Sequence, residues 1–350
     1  MTPPEGALLE QPITTDDPAD ERRAQDKELL VSSRKYAKEI RWLSWWHLLS
    51  TVAVHLGLVV VACSSLPMAV RVLASVFSGL VLVRIFIMYH DLEHSAIFRG
   101  SFVPKWVLYF YGLMTLNPPS AWKRSHDHHH RNNSKMFGAS IGSFPIMTTD
   151  AFRAASRKEQ IAYLAARHPM TIAFGYLTIF MFGMSIRPLF INVRRNMDSL
   201  IALSMHFGVM AICFATIGWQ STILSFIIPI FIASGVGAYL FYAQHNYPSA
   251  KLSDRADWNY VDAALKSSSF LKMGPVMNWL TGNIGYHHVH HLNHQIPFYR
   301  LPEAMAEMEE LQDPGVTTLR PRDLMRCLSL KFWDPKRDRF VTYKEFEQAV

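Results

Sequence analysis

The stretch GNIGYHHVHHLNHQIP, residues 282–297, decides how the rest of the chain is read. Within it His287, His290 and His291 follow an H-x-x-H-H spacing. On a helix, positions i, i+3 and i+4 share one face. Three imidazoles on one face build a core poorly, because each brings two polar nitrogens that need partners. They hold a metal well, since neutral imidazole is the commonest metal ligand. HDLEH at 90–94 offers His90 and His94 at i, i+4, and HDHHH at 126–130 repeats the H-x-x-H-H pattern with His126, His129 and His130. A ninth candidate, His245, closes an apolar segment in FYAQHNYP, 241–248. One such pair alone carries little. Three boxes interleaved with long apolar runs point to a single shared centre. Nine ligands are too many for one ion and suit two. Imidazole by itself accepts zinc, copper, nickel or iron, so ligand type does not choose the metal.

The chain has 16 histidines. His47, His55 and His206 fall in apolar runs and are expected to hydrogen-bond between helices. His168 precedes a proline in a loop. His128, His288 and His294 lie beside the boxes but off their pattern, which gives them supporting or surface roles. Asp91 and Glu93, inside the first box, are expected to orient imidazoles through the second ring nitrogen.

Half of the 350 residues are hydrophobic and 18% are charged. Low charge with long apolar runs excludes a pair of ordinary soluble domains and indicates an integral membrane protein. The net charge of +7 suits anionic lipid head groups and gives no reason to invoke nucleic acid. Cys63, Cys213 and Cys327 are far apart and form no CxxC pair, which argues against zinc–thiolate or iron–sulfur sites and against disulfides.

Residues 1–25 are polar and aperiodic and read as a disordered leader, without the apolar core of a signal peptide. Arg34, Lys35, Lys38 and Arg41 then precede the first apolar run and assign that end to the cytoplasm. Runs 43–63 and 68–89 each reach the length of a span, and their short joint makes a hairpin. Arg84, near its end, is expected to snorkel. The run 104–116 is too short to cross and reads as a shallow or re-entrant helix. If the boxes share a centre they share a side, so an even number of crossings separates them. The run 170–186 is therefore assigned to the interface, and 200–218 with 221–243 to a second hairpin turning at Gly218, Trp219 and Gln220. Arg187, Arg194 and Arg195 mark a cytoplasmic stretch. The expected architecture is all-α: about four transmembrane helices in two hairpins (43–89 and 200–243), interfacial helices, and a cytoplasmic helical cap holding the di-metal centre. Domain bounds follow as a leader over 1–40, a membrane domain over 41–335 and a cytoplasmic tail over 336–350. A calcium loop at 334–345 is rejected, because Lys336 and Arg339 occupy positions that would have to favour a cation.

These boxes and their order resemble the membrane-bound fatty acid desaturase superfamily over residues 40–335. TGNIGYHHVHHLNHQIPFYRL (281–301), FYAQHNYP, WNYVDAALKSSSF (258–270) and LKFWDPKRDRFV (330–341) resemble the bacterial acyl-lipid, omega-6-like group. The resemblance implies two non-haem iron ions held by His90, His94, His126, His129, His130, His287, His290 and His291, with His245 as a further ligand. It implies O2 and two electrons removing two hydrogens from an acyl lipid or acyl thioester. General acid–base chemistry cannot start that reaction, since a methylene carbon has no acidic proton. The third box begins with His287 where front-end desaturases have glutamine, which disfavours that subclass. No HPGG haem segment is present, so a separate donor, ferredoxin or a b-type cytochrome, is implied. Lys123, Arg124 and Arg131 flank the second box and could meet a phosphate head group or a carrier protein. Two other readings stand beside this one. A sibling di-iron oxygenase, such as a hydroxylase, carotenoid ketolase or alkane monooxygenase, shares the boxes. A membrane metal-binding or transport protein without redox chemistry fits less well, because the histidines cluster outside the spans.

Overall fold

The computed structural model describes residues 18–135, 144–253 and 256–349, and most of them are helical. The leader expected to lack structure over 1–25 is helical from Pro18, forming α1 (Pro18–Ser33), while residues 1–17 lie outside the described residues. α2 (Arg41–Cys63) and α3 (Met68–Glu93) are each long and apolar enough to cross a membrane. About 20 residues cover a hydrocarbon layer of about 30 Å. At their joint the Ser64 hydroxyl donates to Val61 O at 2.8 Å, satisfying one of the carbonyls that a helix end leaves open. α4 (Phe102–Met114) has 13 residues, too few to span, as its length in sequence suggested. α5 (Pro119–Asn132) carries the second box.

Two short helices, α6 (Thr149–Ala154) and α7 (Arg157–Ala166), follow; Ser156 and Glu159 form a capping box at the start of α7. α8 (Pro169–Ala173) leads into a π-helix over Tyr176–Ile186 and then α9 (Arg187–Ile191). A third membrane-length apolar run covers Arg194–Ala243. As one straight helix its 50 residues would reach about 75 Å. Gly218, at φ 75° and ψ 168°, interrupts α10 (Met197–Thr222) with a conformation that a side chain would oppose. A π-turn over Ile223–Ile227 then leads into α11 (Ile228–Ala243). The His206 ring lies 5.1 Å from that of Phe226, a contact that requires the chain to fold back between them. The turn therefore falls where the sequence placed it.

After α11 come α12 (Tyr260–Lys266), β1 (Phe270–Lys272), α13 (Pro275–Leu280), α14 (His287–Leu292), which carries the third box, and α15 (Leu301–Glu307). β2 (Val316–Thr318) pairs in parallel with β1. α16 (Pro321–Ser329) precedes an antiparallel hairpin of β3 (Leu330–Asp334) and β4 (Arg339–Thr342), and α17 (Tyr343–Glu347) ends the chain's regular structure. The segment rejected as a calcium loop is this hairpin, and Asp334 Oδ1 accepts the Lys336 N–H at 3.0 Å within its turn.

The three histidines assigned to apolar runs bond as expected. His55 meets Ser78 at 3.1 Å, His206 bonds Tyr176 at 2.6 Å and Met114 O at 2.8 Å, and His47 bonds Arg84 at 3.0 Å. Arg84 does not snorkel. It is 2% exposed, donates to Thr51 Oγ1 at 3.1 Å and to Trp279 O, and stacks 4.5 Å from the Trp279 ring. Three acceptors and an aromatic face together replace the water that snorkelling would have supplied.

Candidate metal centre

The helix ends bring the boxes together. His90 and His94 close the last turn of α3, and His126, His129 and His130 face one way from α5. α14 is only six residues long and is positioned by the loop before it. In that loop Gly282 and Asn283 take positive φ, 52° and 54°. A Cβ on Gly282 would stand 2.9 Å from Ile87, so the loop can press onto α3 only without one. Gln244, buried at the end of α11, donates to Ile284 O at 2.8 Å and ties His245 to the same loop.

All nine candidate ligands converge, in two groups. His90, His94, His126, His130 and His290 form one; His129, His245, His287 and His291 form the other. In the first, Nε2 of His126 stands 2.9 Å from that of His90 and 3.0 Å from that of His130, and His290 stands 3.1 Å from His130. In the second, His129 is 3.0 Å from His245 and 3.2 Å from His291, and His287 is 2.9 Å from His245. Each Nε2 is either a donor or an acceptor, and several cannot satisfy one another around a common point. Ligand nitrogens about 2.1 Å from a metal stand about 3 Å apart at right angles, which is the spacing seen here. The donor set and its geometry thus fit two metal ions, one per group. Each group is built from imidazole alone.

Protonation agrees. Burial holds His126, His129, His130, His287, His290 and His291 well below the usual 6.5, and lowers His245 to about 4. All are neutral at pH 7, with a lone pair available. Two outer bonds choose which nitrogen keeps that pair. Asp91 Oδ1 lies 3.0 Å from His90 Nδ1, and its other oxygen accepts the Phe298 N–H at 2.7 Å. His245 Nδ1 meets Ser267 O at 2.9 Å. Asp91 thus does what the sequence expected of a box carboxylate. Glu93 does not, standing beside Lys123 and Tyr109 instead.

His288 stays buried but points away from the two groups, bonding Leu311 O at 3.0 Å. His294 packs at a tilt beside the first group, 4.6 Å from the His94 ring and 5.2 Å from the His130 ring. The helical pattern overlooked this contact because Asn293 has already ended α14 with extended backbone. The H-x-x-x-H spacing from His290 to His294 was the available signal. Trp122 stacks on His126 at 4.5 Å and supports its ring plane.

A cavity of about 750 Å³ adjoins the centre. His90, His126 and His287 form part of its wall, with Val83, Phe86, Ile179, Ile230, Leu240 and Phe241. That size and apolar lining suit a long hydrocarbon ligand.

The amino-acid sequence is similar to known proteins. A family model described as fatty acid desaturase matches residues 66–322. A Bacillus subtilis protein named fatty acid desaturase is 32% identical over 80% of this chain and 78% of its own. The sn-1 oleoyl-lipid 12-desaturase of Synechocystis is 22% identical over 87% of this chain and 86% of its own. The chloroplastic omega-6 fatty acid desaturase of Spinacia oleracea is 22% identical, covering 93% and 72%.

Proposed function

The chain belongs to the fatty acid desaturase family, and we propose that it introduces a carbon–carbon double bond into a membrane acyl chain at a di-iron centre. The observation that carries this reading is the convergence of nine imidazoles, in two groups, beside an apolar cavity. The proposed ligands are His90, His94, His126, His130 and His290 for one iron, and His129, His245, His287 and His291 for the other. Bound iron supplies the activation of O2 and the removal of two hydrogens from neighbouring methylenes, with two electrons delivered by a separate ferredoxin or b-type cytochrome. The chain's own residues do the rest. The apolar wall holds an extended chain against the histidines and excludes water. Asp91 and Ser267 O fix the ring tautomers of His90 and His245.

We place the centre on the cytoplasmic face of a four-span protein. The two hairpins return every box to one side, and Arg34, Lys35, Lys38, Arg41, Arg187, Arg194 and Arg195 lie on that side. The test is a fatty-acid methyl ester profile, by gas chromatography–mass spectrometry, of a bacterium without polyunsaturated lipids that expresses this chain with a ferredoxin system. An acyl chain lighter by two hydrogens is expected. A product heavier by one oxygen would assign the protein to the hydroxylases instead.

A further inference from the structure

The cavity opens beside arginines that the metal centre does not use. Arg124, Arg187 and Arg195 all line it. Arg124 projects from α5; the other two are exposed and lie in the segment between the π-helix and α10. None of the three belongs to an ion pair among the described residues. The neighbouring acid, Asp198, has both oxygens engaged by Ser120, one by its N–H at 2.6 Å and one by its hydroxyl. The buried side chain of Asn196 joins the two elements. Its oxygen accepts from Arg124, and its amide donates to Pro188 O at 3.0 Å and Asn192 O at 2.7 Å. Asn196 thus ties Arg124 to the segment that carries Arg187 and Arg195.

Their surroundings indicate what they meet. Phe190 and Ile191 are 85% and 72% exposed, and Val193 and Met197 beside them are also exposed. Apolar side chains turned outward among arginines put this segment at the boundary between lipid tails and head groups. Of the cations flanking the second box, Lys123 is occupied by Glu93 O and Asp127, and Arg131 by Asp127 O. Only Arg124 turns to the cavity.

We propose that Arg124, Arg187 and Arg195 form a phosphate site that seats the head group of a membrane glycerophospholipid while one of its acyl chains occupies the cavity. The proposal rests on the acyl desaturase reading and specifies its substrate. Guanidinium forks match phosphate oxygens in paired hydrogen bonds, and three unpaired cations at an apolar opening favour an anionic lipid over an uncharged glycolipid.

The test uses the purified full chain in detergent and native mass spectrometry, which needs no turnover. The probes are phosphatidylglycerol, diacylglycerol with the same chains, and monogalactosyl diacylglycerol. Phosphatidylglycerol should be retained at least tenfold better than either uncharged lipid. Arg187→Gln with Arg195→Gln should abolish the preference, and the paired lysine replacements should restore part of it. Arg326→Gln, exposed on α16, should leave it unchanged. Equal retention of the three lipids, or a preference that survives the double glutamine variant, would overturn the site. Complete displacement by inorganic phosphate, without lipid, would also overturn the lipid assignment and leave a free-phosphate site. Phosphatidylglycerol retained through the arginines, with no double bond formed in any lipid, would remove the reaction and keep the site. Uncharged and charged lipids desaturated alike would do the reverse.

Discussion

Replacing Asp91 with asparagine changes one atom and should loosen the metal centre without disturbing its shape. The carboxylate is 2% exposed, so water cannot substitute for its bonds. One oxygen faces His90 Nδ1 at 3.0 Å and the other accepts the Phe298 N–H at 2.7 Å. With both acceptors present, the proton sits on Nδ1 and Nε2 keeps its lone pair toward the first group. Asparagine offers one acceptor and one donor in the same space. If its oxygen keeps Phe298, its amide faces Nδ1 and drives the ring proton onto Nε2, the ligating atom. If it turns over, two donors meet at Phe298. Either way one charge-assisted hydrogen bond is lost, worth about 1.5–3 kcal/mol. That corresponds to about tenfold to a hundredfold in metal affinity, the range found for partners of metal-bound histidine. The assay is competition for Fe(II) against a chelator of known affinity, with the thermal melt of the metal-free protein as a fold control. An Asp91→Asn protein that binds iron as tightly as the parent would refute the reasoning.

Three other outcomes follow from the same geometry. His290→Ala should lower product formation at least about a hundredfold, more than a group acting through a ligand would, while the protein stays in the membrane fraction; normal turnover would remove His290 from the ligand set. At Gly285 an added Cβ would stand 2.5 Å from Leu271 O and 2.9 Å from Met273, so Gly285→Ala should cost about 1–3 kcal/mol and lower Tm in detergent, with an unchanged melt counting against the packing of this loop. The metal-free protein should melt at lower temperature as pH falls from 7 to 5. The buried histidines of α5 and α14 are held well below 6.5 in the fold, so below 6.5 the unfolded chain takes up protons that the folded chain refuses. A melt that rose on acidification would contradict that sign.

The parts legible in sequence were those written in local spacing. Box histidines at i, i+3 and i+4 landed on one face, and the apolar runs gave the hairpins and the turn at Gly218. His245 belonged with the boxes because it closes α11 at the depth where they meet. What stayed hidden depends on distant partners. Arg84 looked like a residue seeking water, and its acceptors are Thr51 and His47 on α2 and Trp279 on α13, far from it in the chain. The parallel pair of β1 and β2 joins segments of three residues each, too short to show alternation. Sequence set Arg124 alongside Lys123 and Arg131 as cations flanking the second box, and only the bonds of Lys123 to Glu93 O and of Arg131 to Asp127 O tell it apart from them.

The central claim is that the two histidine groups hold two irons in one chain. The direct measurement is metal content per chain, by inductively coupled plasma mass spectrometry, on protein purified from iron-replete cells and quantified by amino-acid analysis. Two irons per chain are predicted, falling in His290→Ala and His291→Ala, each of which removes a ligand from one group. A parent protein that carries no iron, or a single ion that neither substitution affects, would contradict the account.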